Sequence, residues 1–441
     1  MKQTIAITLA SIVGWALCQP VQAQTPANNI VLIVADDIGT DQLRMYGINP
    51  NAPATPHLDA LAADGQVYRQ AWSNPTCSPT RASLYTGRHA FRHGVGGAIT
   101  NVDTDPELQP TETTLPEVLN SVGYTNALVG KWHLGDVNAE ANPCLAPSVH
   151  GWSVFRGDVA AAVPDHYDWP KCIDASSVAS NTWSATDNVN DALAFIRNHT
   201  QGPFMLTVAF NVPHTPWQIP PSGFVSSGRC PASGRVTVLN RDCYRAMIEN
   251  MDSEIGRLLA GIDPQTTTVM FVGDNGTPIQ GVARGTYPPN QAKGSIYEGG
   301  VRVPMIIRGP QVTDRGWVEA PVNVLDLFAT SIDLAGASLP PNLQVDAVSL
   351  RPYFSAKSRP PLKNTVYTEG FMGSDDCSFG DAAAIRNARY KLVRISCVKD
   401  ELYDLHEDPF ESTNLLNEEL TSNQERAYRS LSDAMVALRG R

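Results

Sequence analysis

The chain predicts an α/β fold: a large domain with a central, mostly parallel sheet flanked by helices, then a smaller C-terminal α+β domain with an antiparallel sheet. Residues 29–35, 204–210 and 268–272 are short apolar runs without polar alternation, the pattern of strands buried on both faces of a parallel sheet. Helical patterns at 55–62, 187–198 and 244–260 alternate with them, which is the order of elements in an α/β domain. Past a Pro- and Ser-containing linker at 355–361, residues 365–369, 383–396 and 401–405 read as antiparallel strands and 427–438 as a terminal helix.

The N-terminus has the layout of a secretory signal at 1–23: Lys2, an apolar run from Ile5 to Leu17, and Val21-Gln22-Ala23 before Gln24. Export to the periplasm or medium is therefore expected. A lipoprotein anchored at Cys18 ranks second, because Leu17 is bulky where such a signal wants a small residue. No other apolar run is long enough to span a membrane. The mature chain then divides into 24–354, the large domain, and 362–441, the small one. A formal charge of −11 argues against nucleic acid as the partner, so any anionic ligand must meet a local basic cluster.

The first strand ends in Asp36-Asp37-Ile38-Gly39, two adjacent carboxylates where open α/β sheets place their sites. They repel unless a cation lies between them; read alone, they default to an N-cap and a solvated turn acid. Thr55-Pro56-His57-Leu58 opens the next helix. Cys77-Ser78-Pro79-Thr80-Arg81 follows, with a helix expected to begin around 79–82, so that Cys77 sits at a helix N-terminus beside a fixed cation. No histidine lies nearby in sequence to activate it.

A short helix at 115–120 runs into a strand at 123–129 that delivers Gly130-Lys131-Trp132-His133. Lys131 and His133, two apart on an extended segment, point to the same side; without the rest of the chain they read as a solvent lysine and a turn histidine. The loop-rich stretch 143–181 and the residues after it hold Trp152, Phe155, Tyr167, Trp169 and Trp183, which suit a cleft wall and core packing alike. The strand at 204–210 leads to Pro213-His214-Thr215, and the strand at 268–272 to Gly273-Asp274-Asn275-Gly276. Asp36, Asp37, Asp274 and Asn275 form an all-oxygen set, which suits calcium or magnesium and disfavours zinc. Lys293-Gly294 and Glu298 to Arg302 precede a strand at 304–308; Glu298 and Arg302 read equally as a structural ion pair outside any site. A helix at 324–334 completes the large domain.

Cys77-x-Pro79-x-Arg81 with Thr86-Gly87-Arg88, Gly130-Lys131-Trp132-His133, His214, Asp274-Asn275-Gly276 and Lys293-Gly294, in this order, resemble the type I sulfatases of the alkaline-phosphatase superfamily. Tyr85 departs from the usual aliphatic residue and Asn126 from a usual hydroxyl. The resemblance covers nearly the whole mature chain, including 401–415. It implies that a maturation enzyme oxidises Cys77 to formylglycine (3-oxoalanine). Its hydrate would attack sulfur in a sulfate ester, with calcium (magnesium second) held by Asp36, Asp37, Asp274 and Asn275. By the same resemblance Arg81, Lys131 and Lys293 neutralise the transferring group, His214 protonates the leaving alcohol, and His133 takes the proton that lets sulfate depart. Family members usually supply one more polar contact from 143–181; no residue there can be assigned to it.

Two alternatives accompany this reading: a formylglycine-dependent phosphate or phosphonate ester hydrolase, and a secreted calcium- and glycan-binding protein without turnover. Small aryl sulfates, choline sulfate and sulfated glycans are all open as substrates, with sulfated glycans preferred.

Cysteine count supports export. Of eight cysteines, Cys18 goes with the signal and Cys77 with the chemistry, leaving six. Cys144 with Cys172, Cys230 with Cys243, and Cys377 with Cys397 is the most sequence-local pairing; six buried thiols is the alternative.

Overall fold

The computed structural model describes residues 28–101, 105–135, 142–221, 230, 239–371, 381–397 and 399–439. The signal segment with Cys18, and Cys377, lie outside these residues.

Five parallel strands form the centre of a ten-stranded sheet, in the order Thr267–Gly273, Asn29–Ala35, Phe204–Ala209, Thr125–Lys131, Val154–Asp158. Beyond them the sheet turns antiparallel, at Met305–Arg308 on one side and Trp169–Ile173 on the other. The expectation of a mostly parallel sheet holds.

The first strand shows why its sequence had to be apolar throughout. Ile30, Leu32 and Val34 enter one core, with Leu115, Val118 and Leu119 of the helix Leu115–Asn120 and with Leu327 and Phe328 of the helix Asp326–Ala335. Val31, Ile33 and Ala35 enter the other. There they meet Leu58 and Leu61 of the helix Pro56–Ala63, Val189 of Ser184–Asn198, and Met247, Met251 and Ile255 of Arg241–Ala260. Successive side chains point to opposite faces of a strand, so both faces are covered by helices.

Several element ends differ from the sequence reading. The helix at Cys77 starts at Cys77 itself and runs to Thr86; Pro79 falls in its first turn, where the missing N–H would have no helical partner anyway. Thr55 makes no side-chain cap to the helix Pro56–Ala63. Asp252 caps it instead, its carboxylate accepting from the His57 and Leu58 amides at 3.1 and 2.8 Å. The single strand expected over 383–396 is a hairpin of Ala382–Arg386 and Tyr390–Ile395.

The small sheet is four-stranded and antiparallel, in the order Val366–Gly370, Ala382–Arg386, Tyr390–Ile395, Lys399–Asp404. Tyr367, Ile385, Leu392 and Leu402 on one face pack against Leu431 and Met435 of the terminal helix Ser422–Arg439. Val366, Ala384, Val393 and Tyr403 on the other pack against Trp72, Ile296 and Val301 of the large domain.

Buried charge crosses this second contact. Glu298 accepts from the Trp72 indole at 2.9 Å and lies 3.4 Å from Lys391, which pairs with Glu411 at 2.7 Å. Arg302, the sequence-level partner of Glu298, instead donates to the Arg69 carbonyl at 2.9 Å. Glu298 therefore serves the junction of the two sheets. Lys391→Met is expected to cost about 3–5 kcal/mol, since it strands two buried carboxylates. The cost should grow with pH: burial already pushes Glu411 up to about 7, and a carboxyl that holds its proton more tightly folded than unfolded loses stability as pH rises through that range. Denaturant melts of both proteins at pH 5 and pH 8 check the magnitude and the sign.

Candidate active site

Three of the central strands end within one buried pocket. Asp36 and Asp37 leave the strand Asn29–Ala35, Lys131 closes Thr125–Lys131, and Asp274 and Asn275 follow Thr267–Gly273. The carboxyl ends of a parallel sheet lie on one edge of it, which is why residues so distant in sequence converge. Asp37 and His133 both adopt the left-handed conformation, with φ of 70° and 56°, unusual for residues other than glycine. Strain of this kind concentrates at functional sites.

Each carboxylate has a cation. Lys131 Nζ lies 2.6 Å from Asp36 Oδ2, Lys293 Nζ 2.5 Å from Asp37 Oδ1, and the Arg81 guanidinium donates to Asp274 Oδ2 at 2.8 and 3.1 Å. Arg81 also donates to the Lys131 carbonyl at 2.9 Å, which locks the Cys77 helix to the neighbouring strand end. Arg81 and Lys131 have no exposed surface, so both ion pairs work at low dielectric. The Asp37 amide donates to Asp274 Oδ1 at 3.0 Å and Asn275 Nδ2 donates to Asp37 Oδ1 at 2.8 Å, closing the set.

Cys77 lies at the start of its helix, 2% exposed, and is the free cysteine of the described residues. Burial pushes its thiol up to about 11 despite Lys131 and Lys293 nearby. The pocket therefore does not make a reactive thiolate at neutral pH, unlike a cysteine hydrolase. One ligand atom each from Asp36, Asp37, Cys77 and His214 lie within 4.8 Å of one another.

The donor set fits a hard divalent cation. Asp36 Oδ1 and Asn275 Oδ1 are buried with no hydrogen-bond partner, two oxygens that a cation would satisfy. Burial and the Asp36 charge push Asp274 up to about 6, which records the same crowding of acids.

The two histidines differ. His214 lies with Nε2 3.8 Å from Asp37 Oδ2 and Nδ1 2.9 Å from the Thr215 carbonyl. Burial outweighs Asp37 and holds its imidazole neutral, pushed down to about 4. His133 Nε2 bonds the Ile99 carbonyl at 2.8 Å, and its Nδ1 is buried without a partner. Burial and the Lys131 charge hold it well below the usual histidine range.

Other polar groups of this pocket escaped the sequence reading. Asp158, at the end of the next parallel strand, pairs with Lys131 in register and accepts from Asn211. His166, from the stretch where no residue could be assigned, bonds the Ser184 hydroxyl at 2.7 Å and the His214 carbonyl at 3.3 Å. Asp158 and Asn211 each stand at or just past a strand end, the signal that had singled out Asp36 and Asp274. Of the loop aromatics, Trp152, Phe155, Trp169 and Trp183 are buried core and Tyr167 is exposed. Tyr85 stacks on Trp132 at 6.0 Å and meets Trp152 edge-on at 5.5 Å, a packing role. The disulfides Cys144–Cys172 and Cys230–Cys243 are formed, and Cys397 is disulfide-bonded.

Paired acids and bases thus converge at the carboxyl edge of an α/β sheet, the place where such folds carry their active sites. Residues 28–337 match the Sulfatase family and residues 291–439 the family described as N-sulphoglucosamine sulphohydrolase, C-terminal. The chain belongs to the sulfatase family and is a sulfatase. It is 30% identical to arylsulfatase G of Rattus norvegicus over 85% of this chain and 77% of that protein. It is 32% identical to N-acetylgalactosamine-6-sulfatase of Rattus norvegicus over 74% of this chain and 65% of that protein. The crystal structure of Ps i-CgsB in complex with k-i-k-neocarrahexaose superposes with a TM-score of 0.77 at 25% identity, covering 92% of each chain. Among the described residues no helix is long and apolar enough to cross a membrane.

Proposed function

We propose that this sulfatase releases inorganic sulfate from carbohydrate sulfate esters, with Cys77 as the position that is oxidised to formylglycine and the surrounding acids as a calcium site. The observation that carries this reading is the placement of a buried, unreactive thiol within 4.8 Å of donor atoms from Asp36, Asp37 and His214. A thiol held near pKa 11 is a poor nucleophile, and its place in the centre of the set makes sense when the side chain is an aldehyde in the working protein. The carbohydrate assignment is supported by the relative named N-acetylgalactosamine-6-sulfatase and by the superposing structure in complex with k-i-k-neocarrahexaose.

Asp36, Asp37, Asp274 and Asn275 would hold the cation, which when bound polarises a sulfate oxygen as a Lewis acid. The chain's own charges are arranged to suit it. Three carboxylates, Asp36, Asp37 and Asp274, face three cations, Arg81, Lys131 and Lys293, and Asp158, pushed up to about 6 by burial, adds a fourth carboxyl, so the protein part has no excess of positive charge. A divalent ion then leaves a net positive pocket, matched to an anionic ester in a protein that is acidic overall. Lys131 and Lys293 bind and orient the sulfate group. Arg81 acts one step back, fixing Asp274 and the Lys131 backbone.

Proton movement falls to the histidines. With Nδ1–H of His214 donating to the Thr215 carbonyl, the neutral ring keeps its lone pair on Nε2, so this nitrogen first takes up a proton and then gives it to the departing alcohol. The protein alone holds this nitrogen neutral, and the bound anion supplies the extra negative charge that raises its basicity. His133, whose Nδ1 is unpartnered, is the base for the step that frees sulfate. An exported location, expected from the signal-like residues 1–23, is supported by the two disulfides, which persist outside the cytoplasm.

Matched 4-nitrophenyl sulfate, 4-nitrophenyl phosphate and a glucosamine or galactosamine 6-sulfate test the reading. Sulfate release from the sugar at a higher kcat/KM than phosphate release is the expected result. Preferential phosphate release would favour the phosphate or phosphonate hydrolase, and binding without release of either would favour the glycan-binding protein.

A further inference from the structure

The loops that follow Asp37 and Asn275 also border an open groove of about 930 Å³. Arg241, Arg245 and Arg284 line it, with Asp242 as the acid and Gln42, Asn49 and Asn51 as neutral hydrogen-bonding side chains. Three guanidiniums face Asp242 and, behind the wall, the buried Asp41, which burial pushes up to about 6, so a local excess of positive charge remains on a chain whose formal net charge is −11. Arg241 and Arg284 make no ion pair among the described residues, and Arg245 reaches Asp242 only at 3.9 Å. Arg245 Nε is buried without a hydrogen-bond partner. Arginines that serve stability sit in short ion pairs, as Arg389 does with Asp404 at 2.6 Å; these three do not.

The groove is built from the loops that build the site. Gln42 donates to Asp41 at 2.6 Å and Thr277 donates to the other Asp41 oxygen at 2.6 Å, so its wall joins the loops that follow Asp37 and Asn275. Tyr244, next to Arg245, donates to the Asp37 carbonyl at 2.7 Å and stands between groove and pocket. The main chain of Arg241 is fixed in the first turn of the helix Arg241–Ala260, and its Nε reaches the Gln280 carbonyl at 3.3 Å, which holds the head group at the rim.

We propose that this groove is an accessory site for a further sulfate group of a polysulfated glycan whose scissile ester occupies the Cys77 pocket; the assignment of the ligand to a sulfated glycan rests on the function proposed above. Planar guanidiniums with unused donors suit the oxygens of a sulfate monoester, and neutral amides suit the hydroxyls between sulfates. The groove then gives this enzyme a preference for chains over sulfated monosaccharides.

The test measures binding and turnover separately, using the full protein and a variant with Arg241→Gln, Arg245→Gln and Arg284→Gln together. The binding probes are a dextran sulfate oligosaccharide, neutral dextran of the same length and a short DNA duplex; the turnover probe is 4-nitrophenyl sulfate. Loss of three positive charges, two of them half-buried, should weaken dextran sulfate binding by roughly tenfold or more, and the salt dependence of binding should become shallower. Turnover of 4-nitrophenyl sulfate and the melting temperature should not change. Unchanged dextran sulfate binding in the variant overturns the proposal, and so does equal affinity of the native protein for the duplex. Absence of 4-nitrophenyl sulfate turnover in both proteins would count against the catalytic reading and leave the binding result standing by itself.

Discussion

Arg81→Ala is expected to reduce sulfate release by about 10³-fold or more and to lower stability by about 3–5 kcal/mol, the range for stranding one partner of a buried ion pair. Arg81 has no exposed surface and holds Asp274 through two hydrogen bonds and the Lys131 carbonyl through a third. Its removal frees two of the strand ends that form the pocket and leaves Asp274 with an uncompensated charge. Burial already pushes Asp274 up to about 6 with Arg81 present, so in the variant it would take up a proton near neutral pH. A protonated Asp274 is a poor cation ligand. The variant should therefore lose affinity for calcium as well as activity, and calcium-dependent thermal shift alongside sulfate release checks both. Arg81→Lys restores the charge without the fork that reaches two partners, and should recover stability more than activity.

Removal of the proposed divalent ion is expected to have the second large effect. Chelation followed by desalting should abolish sulfate release and lower the melting temperature. Calcium at about 100-fold its dissociation constant should return roughly 2.7 kcal/mol of stability. Magnesium should restore less, because the set offers crowded carboxylates and a side-chain amide, and few places for the waters that magnesium keeps. Activity that survives chelation undiminished would show that the three protein cations suffice. The electrostatic count makes that outcome unexpected: without the ion the three carboxylates cancel Arg81, Lys131 and Lys293, and little net charge is left to attract an anion.

Much of the fold and of the site could be read before any coordinates, for identifiable reasons. A doubly covered parallel strand must be apolar at every position, so the central strands announced themselves, and strand ends in such a sheet are where polar residues gather. That Asp36, Asp37, Lys131, His214 and Asp274 come together was legible on those grounds together with the family resemblance carried by the motif around Cys77. What stayed hidden depends on distant partners. Asp252 caps a helix nearly two hundred residues upstream in the chain, and no local pattern marks it. The hairpin at 387–389 lacks an Asn-Gly or Asp-Gly pair, so two strands read as one. Glu298 resembled a partner for nearby Arg302, whereas its partner Lys391 comes from the other sheet. Asp158 lay in a stretch read as loop, which concealed that it ends a parallel strand.

The most direct test of the account is the mass of the peptide that carries Cys77, from protein made in a host able to oxidise cysteine to formylglycine. The account predicts an aldehyde, or its hydrate, at that position in the active fraction, with Cys77→Ala inactive and normally folded. A thiol at position 77 in protein that releases sulfate at full rate would contradict it.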